Sequence, residues 1–197
     1  MAVKTTRCDW CGDDPLYVAY HDREWGVPER DPRALFERLM LEGMQAGLSW
    51  YTILKKREHM RERFFGFDPE RLVDLGPGHL ATWLEDPGVI RHRGKLEALI
   101  GNAARYLELE RGEGFSTWLW SFVGHRPIRN RWRSLADVPA STDVSAEMSR
   151  QLRKAGFRFV GPTICYAFMQ SVGMVNDHVL SCHRHGPCDE LQRRWIP

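Results

Sequence analysis

The stretch from Gly156 to Cys165, Gly-Phe-Arg-Phe-Val-Gly-Pro-Thr-Ile-Cys, narrows the folds open to this chain more than any other segment. Glycine tolerates the left-handed conformation that ends a helix, so Gly156 can close one. Proline suits the first helical position, where no N–H is needed, so Gly161-Pro162 can open the next. Between them Phe157, Phe159 and Val160 are apolar and fit a wedge into a core. The second helix carries Ile164, Phe168, Met169 and Val172 at the spacing of one buried face, and it stops at Gly173. The reading is a pair of helices joined by a tight hairpin around 145–173. Backbone amides at such a hairpin point outward and form a cradle for a phosphate. Arg150, Arg153, Lys154 and Arg158 crowd the same place. Taken alone, the segment fits an ordinary helical hairpin with a solvated basic face equally well.

Elsewhere the pattern is helical. Asp31-Pro32 reads as a cap and first helical residue, followed by the apolar face Leu35, Phe36, Leu39, Met40 and Met44. Glu42 falls off the centre of that stripe. Ser49 can cap a helix through Ile53 and Leu54, and Asp68-Pro69 can start another. Gly76-Pro77-Gly78 is expected to break that helix, with a further short one over 79–84. Leu96 to Leu107 is amphipathic, Ser116 can cap the run from Thr117, and Ser141, Thr142 and Asp143 offer caps for the helix ending at Gly156. Residues 1–30 sustain neither helical nor strand periodicity and are expected to be irregular, wrapping the surface or lining a site. There is no repeat and no convincing strand. The expected class is all-α, in one domain spanning 1–197.

Net charge is +2, so the molecule is no polycation, and any affinity for nucleic acid must come from local patches. No apolar run is long enough to span a membrane. Five cysteines, an odd number in a chain this long, argue against a disulfide framework and for cytosolic thiols or metal ligands. His178 and Cys182 are four apart and share one helical face, and Cys8 and His21 lie in the N-terminal segment. Two sulfurs and two imidazoles suit tetrahedral Zn²⁺, and a closed four-ligand site is structural. Cys11, His183, His185 and Cys188 compete for the same role, and spacing leaves the choice among them open.

Several long strings resemble one family. Asp14-Pro15-Leu16-Tyr17-Val18-Ala19-Tyr20-His21-Asp22-Arg23-Glu24-Trp25-Gly26-Val27-Pro28 is similar to the opening of bacterial 3-methyladenine DNA glycosylase I, the Tag family. So are Leu41-Glu42-Gly43-Met44-Gln45-Ala46-Gly47-Leu48-Ser49-Trp50, Ile90-Arg91-His92-Arg93-Gly94-Lys95, Trp120-Ser121-Phe122-Val123, and Phe159 through Tyr166 with Val175-Asn176-Asp177-His178-Val179. The resemblance covers residues 7–183. It implies a helix-hairpin-helix DNA glycosylase fold with a structural zinc joining the N- and C-terminal segments through Cys8, His21, His178 and Cys182. The tail 184–197, with Cys188 and Trp195, and Cys11 have no place in it. The implied partner is double-stranded DNA with alkylated bases, met by a cytoplasmic monomer.

The chemistry implied is release of 3-methyladenine. Methylation at N3 makes the purine cationic, so the base leaves as a neutral molecule and the bond is already weak. The enzyme must extrude the nucleotide, hold the base and admit water. Trp50 offers a face for stacking on a cation. Glu42 can oppose the charge and accept from the exocyclic amine, and is the expected catalytic residue. Tyr20 supplies a hydroxyl, and Trp10, Tyr17 and Trp25 are candidate walls. Arg158, Lys154, Arg153 and Arg93 are the expected contacts to the DNA backbone. Related glycosylases carry an aspartate where this chain has Asn176, and an amide cannot act as a carboxylate. Asp177 is read as structural, and no hairpin lysine is placed for a Schiff-base step. A zinc-stapled module that binds DNA without catalysis is the alternative, and a metal-dependent hydrolase would need an open metal position.

Overall fold

The computed structural model describes residues 5–195, so the extreme ends of the N-terminal segment and of the tail lie outside the described residues. Nine α-helices occur among the described residues: α1 Pro15–Arg23, α2 Pro32–Gln45, α3 Trp50–Arg63, α4 Pro69–Glu85, α5 Arg93–Arg111, α6 Phe115–Ser121, α7 Asp143–Lys154, α8 Pro162–Ser171 and α9 His185–Arg193. Helix α2 is central. It packs against α3, α5, α6 and α8, and a run from Leu39 to Met44 is buried around its whole circumference. A helix apolar on one stripe only would leave Glu42 in water; this one does not.

Four expectations need correction. Residues 1–30 are not irregular throughout, because α1 forms within them. Asp14 caps it, its Oδ1 accepting from Leu16 N at 2.9 Å and Tyr17 N at 3.3 Å, and Pro15 takes the first position. The buried face of α1 is Tyr20 and His21, aromatic and polar, so it leaves little hydropathy signal. Gly76-Pro77-Gly78 does not break a helix, since α4 runs through it. Gly76 gives close approach to α5: a Cβ there would lie 2.9 Å from Ile100 Cγ1. Burial of Leu72 and Trp83 on the same helix outweighs the missing Pro77 N–H. Helix α6 starts at Phe115 after Gly114, not from a Ser116 cap. Finally, β1 Ile128–Arg129 pairs in parallel with β2 Val175–Asn176, a contact too short to show periodicity.

Helices α7 and α8 pack on each other and are joined by residues 155–161. Gly156 has φ 93° and Phe159 φ 57°. Such a turn persists only when its surroundings hold it. Asn102 of α5 does so from one side, its Nδ2 donating to Arg158 O at 3.0 Å and its Oδ1 accepting from Arg158 N at 2.8 Å. Ser149 Oγ donates to Val160 O at 2.6 Å from the other.

Gly173 sits where α8 meets the loop after α1, at φ 67°, and a Cβ there would lie 2.4 Å from Pro28 N. Gly173→Ala should therefore lower stability by more than about 1 kcal/mol in urea unfolding. Gly101→Ala, in open space on the outer face of α5, should raise it by about 0.5–1 kcal/mol. Equal effects at the two sites would contradict this packing.

Candidate functional site

A cavity of about 300 Å³ opens between α1, α2, α3 and α8, within the range of small-molecule sites. Its aromatic wall is Trp10, Tyr17, Tyr20, Trp25 and Trp50. Tyr17 and Tyr20 are one turn apart on α1, and Trp50 opens α3 behind the Ser49 cap. Trp10 packs on Tyr17 at 5.1 Å and edge-on to Trp25 at 5.0 Å, and Tyr20 tilts against Trp50 at 5.3 Å. The polar lining is Glu42, Gln45, Gln170 and Asp177, with Leu135, Val138 and Ala167 completing it. All six expected pocket residues, Trp10, Tyr17, Tyr20, Trp25, Glu42 and Trp50, thus surround one space.

The two carboxylates in this lining have opposite surroundings. Asp177 is saturated. Its Oδ1 accepts from Asn130 Nδ2 at 2.7 Å and Trp132 Nε1 at 2.8 Å, and its Oδ2 from Tyr166 Oη at 2.6 Å and Gln170 Nε2 at 2.8 Å. Glu42 is 2% exposed, and its Oε2 has no hydrogen-bond partner in the protein. Burial pushes its carboxyl up to about 8, against the opposing pull of the Arg38 guanidinium and Ser171. Trp50 Nε1 is likewise buried without a partner. Asn176, by contrast, does not line the cavity; its Nδ2 donates to His185 O at 3.1 Å.

Behind the aromatic wall four ligand-type side chains converge. One ligand atom from each of Cys8, His21, His178 and Cys182 lies within 4.8 Å of the others, and all four residues are buried. Cys182 Sγ is 3.5 Å from His21 Nε2 and from His178 Nδ1, and Cys8 Sγ is 3.7 Å from His178 Nδ1. The other nitrogen of each imidazole is already held: His21 Nδ1 by Asp22 Oδ1 at 2.7 Å, His178 Nε2 by Trp25 O at 3.0 Å. Asp22 is gripped in turn by Arg7, with Nη2 to Oδ2 at 2.8 Å. Backing of this kind fixes a ring for metal ligation, so the group can bind a metal ion. The competing candidates are engaged elsewhere. Cys11 Sγ donates to Gly12 O, His183 Nδ1 meets Thr6 O, His185 Nε2 meets Asn130 O, and Cys188 lies against Arg184.

The family model described as methyladenine glycosylase matches residues 10–185. The chain belongs to this family. It is 52% identical over 177 residues to DNA-3-methyladenine glycosylase 1 of Escherichia coli (strain K12), covering 89% of this chain and 95% of that relative. It is 51% identical over 185 residues to DNA-3-methyladenine glycosylase of Haemophilus influenzae, covering 93% and 98%. A solved 3-methyladenine DNA glycosylase I from Staphylococcus aureus, described for its recognition of 3-methyladenine, superposes with a TM-score of 0.86 at 36% identity, covering 90% of this chain and 95% of that one.

Within this member of the methyladenine glycosylase family, the basic candidates gather outside the cavity. Arg153, Lys154 and Arg158 are exposed at the end of α7 and in the turn beyond it. The Arg153 guanidinium lies over Gly161, the cap of α8. His92 meets the Phe159 ring at 5.9 Å, which brings Arg93, 63% exposed, to the same side. Gln45, Leu135, Val138, Ala167 and Gln170 were not among the residues expected from sequence. Gln45 and Gln170 each sit one turn from a residue that was informative, but a glutamine on a helix carries no chemical signature by itself.

The cysteine and histidine cluster joins residues 170 positions apart, so binding a metal ion there would be coupled to folding. Treatment with a strong chelator should lower the melting temperature, and Cys182→Ser should do the same. A chelated sample that melts with the untreated one would show that no metal holds the cluster.

Proposed function

We propose that this chain is a monofunctional DNA glycosylase of base-excision repair, hydrolysing the N-glycosidic bond of 3-methyladenine in alkylated double-stranded DNA. The observation that carries the reading is Glu42: a buried carboxyl with an unpartnered oxygen, in the lining of an aromatic cavity. Such a group is costly to ionise alone and favours a ligand that brings positive charge. N3-methyladenine in DNA is that ligand. Its ring is cationic and flat, suited to the faces of Trp50 and Tyr20. Names of the relatives at 51–52% identity support the same substrate.

The steps follow from the residues. The damaged nucleotide leaves the stack and enters the cavity. Glu42, ionised by the incoming charge, holds the base and accepts from its amine; the Tyr20 hydroxyl and Trp50 indole N–H add polar contacts. The base departs neutral, so no strong acid is needed, and water attacks the anomeric carbon. Asp177 has no free acceptor with which to activate that water, so lability of the substrate and capture of the base supply the catalysis. Lys95 is buried, its Nζ donating to Met44 O at 2.9 Å and Ala46 O at 2.5 Å, so it caps α2 and does not attack the sugar. No lysine among the described residues lines the cavity.

In this reading α7, the turn and α8 form a helix-hairpin-helix element. Its amides, with Arg153, Lys154, Arg158 and Arg93, hold the DNA backbone. The metal is Zn²⁺, held by Cys8, His21, His178 and Cys182. Two thiolates and two imidazoles are the donor set that suits Zn²⁺, and three of their contacts, Cys182 to His21 and His178 and Cys8 to His178, are 3.5–3.7 Å. With four protein ligands such an ion would have no open position, and it would supply folding free energy and no chemistry. No helix among the described residues is long and apolar enough to cross a membrane.

Glu42→Gln keeps the shape and removes the charge. It should bind methylated duplex as the parent does and lose about 100-fold or more in single-turnover excision. The sign of the pH dependence follows from the carboxyl at about 8. Below that pH the group must give up a proton to receive the cation, so parent excision rises towards pH 8 and then levels. The variant has nothing to ionise, and its profile should be flat. Parent-like release of 3-methyladenine by Glu42→Gln would remove Glu42 from the reaction.

A further inference from the structure

We propose that residues 126–133 form a second strip of DNA-phosphate contacts at the cavity, built on different elements from the α7–α8 turn. The proposal rests on the reading of the chain as a DNA glycosylase. The segment His125-Arg-Pro-Ile-Arg-Asn-Arg-Trp-Arg133 carries four arginines and no acidic residue. The whole chain has a net charge of only +2, so this local excess is not an average property of the surface. Arg126, Arg129, Arg131 and Arg133 are all exposed. Arg129 pairs with Asp189 at 3.6 Å; the other three make no ion pair among the described residues.

The strip is held in place by the cavity itself. Asn130 and Trp132 both donate to Asp177 Oδ1, at 2.7 and 2.8 Å. Two side chains two positions apart that reach one atom lie on the same face of an extended backbone, and those between and beyond them face the other way. Arg131, between them, is therefore turned away from the cavity lining, and Arg133 at the bend beyond Trp132 is exposed as well. The backbone is pinned as well: Ile128 N donates to Met174 O at 2.8 Å and Leu180 N to Trp132 O at 2.9 Å, and His185 Nε2 meets Asn130 O at 3.1 Å. A few residues on, Leu135 and Val138 line the cavity. The arginine segment is thus tied to the cavity lining at Asp177 and runs directly into it at Leu135.

A solvated basic face needs no such anchoring, and uncompensated like charges repel one another. A phosphate backbone resolves that repulsion. Alternate residues of an extended chain are about 6.6 Å apart, far enough for Arg131 and Arg133 to meet separate phosphates. Because the strip is fixed before binding, little ordering entropy is lost on contact. The saturation of Asp177 acquires a second meaning: it ties the base cavity to the arginines beside it.

The test is equilibrium binding of a methylated duplex across a salt series, for the parent, for Arg131→Ala/Arg133→Ala and for Arg131→Lys/Arg133→Lys, with base release measured for the parent. The alanine pair should flatten the plot of log K against log salt by about two units of slope. The lysine pair keeps the charge and should restore it. A slope unchanged in the alanine pair, while the parent binds and releases base, would overturn the strip and leave the glycosylase reading intact. A parent that neither binds nor releases base would overturn both. If the alanine pair melts lower than the parent, Arg131→Gln/Arg133→Gln gives the same slope comparison with longer side chains, and an unchanged slope there also overturns the strip.

Discussion

Keeping the Glu42 carboxyl out of water sets the terms for everything around it. An ionised carboxylate in apolar surroundings is expensive unless a charge or donors meet it. Helix α2 places it there because the helix is buried around its circumference at that level. Arg38, one turn before it on α2, eases ionisation without abolishing the penalty. Arg38 is itself held by Glu24 at 3.1 Å, and Glu24 by Arg57 at 2.6 Å. The guanidinium also lies 5.4 Å from the centre of the Tyr20 ring. One charged network therefore backs both the carboxyl and the aromatic wall, and a cationic ring entering between them meets surfaces already in position.

Donor count separates the two carboxylates of the cavity more sharply than distance does. Four donors converge on Asp177 and none on Glu42 Oε2. A carboxylate with all its acceptor positions filled is a structural anchor; one left short is a binding site waiting for a partner. Asp177 was expected to be structural, and its two oxygens are fully occupied by protein donors, while Asn176 turns to His185 instead of the cavity.

The parts of this architecture legible in sequence were those with a chemical or stereochemical signature. Asp31-Pro32, Ser49, Asp68-Pro69 and Gly161-Pro162 all mark helix starts in the structure. The grouping of Trp10, Tyr17, Tyr20, Trp25, Glu42 and Trp50 was suggested by resemblance, not by periodicity. What escaped was tertiary. Helix α1 buries a polar aromatic face, so hydropathy missed it. Pro77 stays inside α4 because packing on α5 overrides a local breaker. The tail also had no motif, yet Gln192 Nε2 donates to Gly26 O and Gly173 O at 3.3 and 3.2 Å. Trp195 stacks on Trp120 at 4.3 Å. These contacts brace the loop that carries Trp25, and none could be read from residues 184–197 alone.

The central claim is that the cavity removes a cationic purine from DNA and does nothing further to the strand. Incubation with duplex DNA treated with a methylating agent, followed by chromatography of the released bases and electrophoresis of the strands, addresses it directly. The account predicts that 3-methyladenine appears in solution while the strands remain uncut until alkali is added. Absence of free 3-methyladenine, or strand cleavage before alkali, would contradict it.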